Sequence, residues 1–336
     1  MTINKNLAGV AALAAGALAL AGCAGANPGG SGTGAADAPE ITHEITVAAA
    51  PDFMFTEFYV ADAEDIFEQH GIELTLVEYP SAYEALEAVI SGQADISSSS
   101  AAALAPIAGK DAPIKALAAD LRLDDWVTLV SRPGVEIAEP EDLVGLTVGS
   151  TWNGIMDYAA RQFLGANGIS VDQLDYQDVK YAQLLPALQS GTADVATLAE
   201  PALSKALEGV PGTAAVLDSS AYGGLVAFLI ANESVFADDE LRLAVLDAMA
   251  ATYDYIAANP SVAIETAMEN TGLEDTAQAE AIQSKVNYGL NFSDESLDFL
   301  HTVSQYYRDV DVITTSDEEI AELFDIEGFE AWEAGR

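Results

Sequence analysis

The chain has 336 residues, 54 of them acidic against 12 basic, for a net charge of −42, and half of its residues are hydrophobic. Such a charge repels phosphate backbones and anionic membranes, which argues against nucleic acid as a partner. Because the acidic residues are dispersed among apolar ones rather than blocked, a disordered acidic tail is excluded as well.

Leu7–Ala21 is an unbroken run of apolar and small residues, shorter than the roughly 20 residues that span a bilayer. It ends in Leu20-Ala21-Gly22-Cys23, which has the form of a lipobox, and Cys23 is the sole cysteine, so no intrachain disulfide can form. Residues 1–22 are therefore expected to be a lipoprotein signal peptide, with Cys23 lipidated and the protein held at the outer face of the cell membrane. A secretory signal with a coincidental cysteine is the plainer alternative. Residues 23–43 begin with a Gly/Ala/Ser/Pro-rich stretch and read as a flexible tether. The self-repulsion of the remaining chain is tolerable where salt screens it, which fits a halophilic source and equally an acidic bacterial exoprotein.

Ile45–Ala50 predicts a strand, Tyr59–His70 an amphipathic helix stopped by Gly71, and Ile72–Glu78 a strand of period two. Ser81-x-x-Glu84 predicts a helix start, Gly92 its end, and Ala94–Ser98 the next strand. A helix over Ala101–Ala108 and strands over Ile114–Ala119 and Val127–Ser131 follow. The pattern restarts after Arg132-Pro133-Gly134 with a strand at Leu146–Gly149, a helix at Asn153–Gly165 and a strand at Asp175–Val179. Gly224–Ala231 reads as a buried strand, and everything from Asp238 onward as helix.

One text appears twice. Ala82–Ile96 and Tyr181–Val195 share Leu86/Leu185, Ala88/Ala187, Ser91/Ser190, Gly92/Gly191, Ala94/Ala193 and Asp95/Asp194 in register. Each copy reads as helix, tight turn, strand. Two copies this far apart predict two α/β lobes on one plan, each a mainly parallel sheet flanked by helices. The expected division is 44–132 plus 233–336 for lobe 1 and 133–232 for lobe 2, with extra C-terminal helices on lobe 1 and crossings near Ser131–Val135 and Ile230–Val235.

Open α/β sheets bind ligands outside the carboxyl ends of their strands. In the first lobe that edge carries Ser98, Ser99 and Ser100, the loop Asp52-Phe53, and the segment Leu121–Trp126, where Arg122 is the cation best placed to meet a ligand. A surface ion pair of Arg122 with Asp124 or Asp125 is the alternative. In the second lobe it carries Ser150, Thr151, Trp152 and Asn153 in a Gly-bounded turn, and Glu200 before Pro201, suited to cap a helix with or without touching a ligand. Trp152 either walls the pocket or packs between lobe and helix. No phosphate loop, calcium loop or Ser/His/Asp motif is recognisable, so neither a cofactor nor a metal is expected.

The lipobox, the repeated helix–SGxAD–strand, the Thr147–Asn153 turn (TVGSTWN), Ala199-Glu200-Pro201 and Tyr253–Ala263 (YDYIAANPSVA) together resemble periplasmic-type solute-binding proteins. More narrowly, the chain resembles the nitrate/sulfonate/taurine group, which includes binders of thiamin-pyrimidine precursors and riboflavin. The resemblance implies a two-lobed periplasmic-binding-protein-like (type II) fold and a monomer that delivers a small solute to an ABC permease with its ATPase, without catalysis. It places Phe53, Ser98, Ser99, Thr151, Trp152 and Glu200 around the cleft. Ala199 stands where the group often has an aromatic residue, and the cysteine-rich motif of pyrimidine-synthesising relatives is missing. Few cations flank the cleft, so an oxyanion would depend on helix N-termini and Arg122, whereas a pyrimidine-type or zwitterionic solute suits Phe53, Trp126, Trp152 and Glu200. An extracytoplasmic enzyme on the same scaffold, a C–S-cleaving relative, is the alternative.

Overall fold

The computed structural model describes residues 40–152, 154–209, 211–215 and 225–336. The expected signal peptide, Cys23, most of the tether and Asn153 lie outside the described residues. The strands in chain order are β1 (His43–Ala49), β2 (Ile72–Glu78), β3 (Ile96–Ser100), β4 (Ile114–Leu123), β5 (Val127–Ser131), β6 (Thr147–Ser150), β7 (Asp175–Asp178), β8 (Val195–Ala199), β9 (Ala214–Ala215), β10 (Leu225–Asn232) and β11 (Val286–Asn291). They form a six-stranded sheet in the order β11-β4-β10-β3-β1-β2 and a five-stranded sheet in the order β7-β6-β8-β5-β9.

The sequence repeat is a structural repeat, and its aspartate explains why. Asp95 precedes β3, donates its N–H to Thr46 O at 2.7 Å and accepts from Thr46 N–H on Oδ2 at 2.7 Å. Asp194 precedes β8 and does the same with Thr147, at 2.9 and 3.1 Å. Each thus welds the start of one strand to its parallel neighbour. The second carboxylate oxygen takes donors from the end of the antiparallel strand on the other side: Asn232 and Ser234 for Asp95, Arg132 for Asp194. Gly92 and Gly191 turn the chain into these strands at φ of 72° and 76°, a left-handed backbone that glycine adopts without a Cβ clash.

Each sheet is mixed. β2, β1 and β3 pair in parallel, as do β7, β6 and β8, while β10 and β5 run antiparallel beside β3 and β8. This corrects the expected crossings. β5 belongs to the second sheet and β10 to the first, so the chain passes between sheets between Leu123 and Val127 and again between Ala215 and Leu225. An apolar run such as Leu225–Asn232 is equally at home in either sheet, and its sequence does not say which.

The C-terminal segment packs on the first sheet. Residues Val286–Asn291, expected as helix, form β11 beside β4, and Asp325 N–H donates to Ala116 O on β4 at 3.0 Å. The helix expected over Tyr59–His70 is split into Thr56–Ala63 and a 3-10 turn at Glu68–His70, and that expected over Ala101–Ala108 has regular form only over Ala101–Leu104. Helix Ile155–Ala166 of the second half meets helix Asp294–Asp309 of the first through Tyr158, edge-on to Phe299, Tyr306 and Tyr307.

Candidate functional site

The carboxyl ends of β1 and β8 bring two acidic residues from different sheets together. After β1 the chain turns at Asp52, whose side chain caps the 3-10 turn Phe53–Phe55 by accepting from Met54 N–H at 2.9 Å. After β8 comes Glu200, buried, whose Oε2 accepts from Ser204 N–H at 3.2 Å, so the expected capping is present. Its Oε1 accepts from Lys285 Nζ at 2.8 Å. Lys285, just before β11, thereby joins the first sheet's C-terminal segment to the second sheet's strand end. Burial pushes Asp52 up to about 7, the Met54 N–H pulls against this, and the Glu200 charge adds to the rise.

Behind Asp52, on the first sheet, lies a second acidic group. Glu57 in helix Thr56–Ala63 and Asp120 on β4 are both fully buried, and none of their four carboxylate oxygens has a hydrogen-bond partner. Burial and the Asp120 charge hold Glu57 well above the usual carboxylate range. Burial pushes Asp120 up to about 7, against the weaker pull of the nearby Ser98 hydroxyl and of the N–H groups of Asp120 and Leu121, none of which reaches hydrogen-bond geometry with its carboxylate. The Tyr253 ring stacks on Tyr288 at 5.4 Å. Tyr253's buried hydroxyl is unpartnered, and its proton is held by burial and by the charges of Asp120 and Glu57. Carboxylates are acceptor-only when ionised, so these groups stay neutral or await a donor.

Residues 52–263 match the family described as NMT1/THI5 like. The chain belongs to this family. A search of curated protein sequences finds no significant match. Among solved structures, the NMT1/THI5-like chain is similar to the periplasmic aliphatic sulphonate binding protein SsuA from Escherichia coli, at a TM-score of 0.67 and 14% identity over 80% of this chain and 88% of that one. It is also similar to the alkanesulfonate-binding protein SsuA from Xanthomonas axonopodis pv. citri bound to MOPS, at 0.69 and 14% over 84% and 97%. A DszB mutant in complex with biphenyl-2-sulfinic acid matches at 0.65 and 11% over 88% and 99%. The two-lobed α/β fold of periplasmic binding proteins is thus established for this NMT1/THI5-like protein.

The sequence-expected site residues divide sharply. Asp52 and Glu200 are brought together, with Phe53 wholly buried beside them in the first core and Trp126 buried between β4 and β5. The four serines all lie in β3, which runs two residues past the expected strand end at Ser98. Ser97 Oγ donates to Ala48 O, Ser100 caps Ala103 N–H, Ser99 is buried, and Ser98 Oγ is buried without a partner. Ser150 Oγ accepts from Thr197 at 3.0 Å and Thr151 donates to Val179 O at 2.8 Å, so the turn spends these hydroxyls within its own sheet. Trp152, 40% exposed, stacks on Tyr176 at 6.1 Å. The Arg122 guanidinium is taken by Asp124 and Glu295 on the exposed side of β4, the Asp124 ion pair being the alternative expected from the sequence.

Glu57 and Asp120 escaped the sequence reading because 54 acidic residues make any pair look accidental. The available signal was context. Glu57 interrupts Phe53–Ala63 and Asp120 interrupts Ile114–Leu123, two otherwise largely apolar elements where a solvated carboxylate has no place. Among the described residues, no group of three or more His, Cys, Asp or Glu lies close enough to hold a metal ion, and no helix is long and apolar enough to cross a membrane.

Proposed function

We propose that this protein is the extracytoplasmic solute-binding component of an ABC importer, tethered by lipid at Cys23, capturing a small solute between its two sheets and delivering it to the permease. In this reading, lobe 1 is the part built on the six-stranded sheet and lobe 2 the part built on the five-stranded sheet. The candidate contacts are Asp52, Phe53, Ser98, Ser99, Trp126 and Glu200, joined by Glu57, Asp120 and Tyr253. The observation that carries the reading is the meeting of Asp52 and Glu200, one from each sheet, on a fold shared with sulfonate-binding proteins. A ligand touching both sheets favours the closed arrangement through its differential affinity for it.

A thermal-shift screen of the mature protein in high salt tests this, with taurine, alkanesulfonates, nitrate, pyrimidines, flavins and small amines as probes. Stabilisation by one class, growing as RT ln(1 + [L]/Kd), is the expected outcome. Chemical conversion of a probe, followed by chromatography, would replace the reading with an enzymatic one. For the anchor, Cys23→Ser is expected to move the protein from the membrane fraction to the medium.

A further inference from the structure

The unpartnered atoms around Asp120 share a chemical bias. Glu57 Oε1 and Oε2, Asp120 Oδ1 and Oδ2 and Gln283 Oε1 are buried acceptors without donors, and Ser98 Oγ and Tyr253 OH are buried hydroxyls without partners. Gln283 spends its N–H on Tyr288 at 2.9 Å, which leaves its carbonyl oxygen as the free end. With both carboxyls ionised, five acceptors thus face two groups that can donate or accept. Lys285 supplies a positive charge to the neighbouring strand end, and Glu200 already takes it.

These atoms come from separate elements: Glu57 from helix Thr56–Ala63, Ser98 from β3, Asp120 from β4, Tyr253 from helix Asp239–Ala258 and Gln283 from the end of helix Thr276–Gln283. On β4, Asp120 sits where the register with β10 slips between Ala227 and Phe228, the irregularity that accommodates its side chain. Buried polar atoms in a finished core are partnered in the great majority of cases, so this concentration of orphans in a binding fold marks positions that a ligand completes. An oxyanion would bring further acceptors and negative charge to a group with an excess of both.

We propose that the site selects a small organic cation, such as an amine, an amidine or a protonated nitrogen heterocycle, whose N–H groups are received by Glu57, Asp120 and the Gln283 carbonyl, and that it rejects sulfonates. The inference rests on the solute-binding reading and narrows it to a ligand class. The titratable groups facing Asp120 are Glu57, Tyr253 and Tyr288, with Asp52 beside Glu57. Burial pushes Asp120 up to about 7, so a bound cation, which favours the ionised carboxylate, is expected to release protons near that pH.

The test is calorimetric titration of the mature protein with matched probes of one shape: benzylamine and benzamidine, benzyl alcohol, and benzenesulfonate. Zinc and calcium chloride form a separate arm. Binding of the amine or amidine, with a heat that varies with the ionisation enthalpy of the buffer, is the expected result. Asp120→Asn and, separately, Glu57→Gln should weaken it about tenfold or more while the protein stays folded by circular dichroism. Binding of benzenesulfonate, the alcohol or a metal in preference to the cations overturns the cation assignment and leaves a solute-binding protein. Cation binding unaffected in both variants removes the site from Glu57 and Asp120. Failure of these probes and of the wider screen above to bind overturns both readings.

Discussion

The two halves of the molecule each bury carboxylates, and they treat them in opposite ways. In the second half, Asp157 is closed in by Arg161 Nε at 2.7 Å and by the Tyr176 hydroxyl at 2.8 Å, with the Arg161 guanidinium 5.3 Å from the Tyr176 ring centre. That charge is structurally finished. In the first half, Glu57 and Asp120 are at least as deeply buried and have no partner at all. The same frame, repeated through Asp95 and Asp194, therefore carries one completed ionic cluster and one left open. In the proposed reading, the difference separates charge used to hold the fold from charge held for a ligand.

The largest effect should come from breaking the completed cluster. Arg161→Met leaves Asp157 buried and uncompensated, and denaturant unfolding is expected to show a loss of about 3 kcal/mol. Lys285→Met does the same to Glu200 at the junction of the sheets, where Lys285 is partly exposed and water can substitute; a loss of about 2 kcal/mol is expected by the same measurement. The open cluster should answer with the opposite sign. Asp120→Asn removes a carboxylate that resists ionisation, so at pH 7.5 the unliganded protein is expected to gain about 1 kcal/mol, by a measurement repeated at pH 4, where the gain should vanish.

The sign follows from proton linkage. Asp120 has a folded value near 7, above its unfolded value of about 3.9, so between these the folded chain holds the proton that the unfolded chain has lost. Its contribution is present below pH 4 and is lost as pH rises through 7. Melting temperature of the unliganded protein should fall across that window, with a shallower slope in Asp120→Asn. A saturating organic cation should flatten it too. The smallest effects belong where the halves are alike: Gly92→Ala and Gly191→Ala each place a Cβ on a left-handed backbone with no close neighbour to strike, so each should cost about 1 kcal/mol, and the two should add.

Local signals made much of this architecture legible. Gly71, Gly92 and Gly191 stop their elements because they alone relieve the left-handed turn, and Ser81 caps its helix by accepting from Glu84 N–H. Both copies of the repeated aspartate were visible, although not their task of joining strands. What was not legible depends on distant partners. Val127–Ser131 reads as a strand in any sheet, and only pairing with β8 assigns it to the second. Val286–Asn291 reads as the tail of a helix until β4 offers it an edge. Asp52 and Glu200 were readable from strand ends, whereas Glu57 and Asp120 differ from the other acidic residues through burial, which only the folded chain supplies.

Three residues separate β4 from β5, and the chain changes sheets within them. Fully extended, that span reaches at most roughly 14 Å from Leu123 to Val127, so the sheets cannot part by translation along it. Any gape must be a swing about this short pivot. Lys285 Nζ donates to the carbonyl of Asp125 at the pivot while gripping Glu200 beyond it, so it behaves as a pin through the axle. The lever arm lengthens away from this pin, and the motion that admits a solute is smallest where the two sheets are already tied.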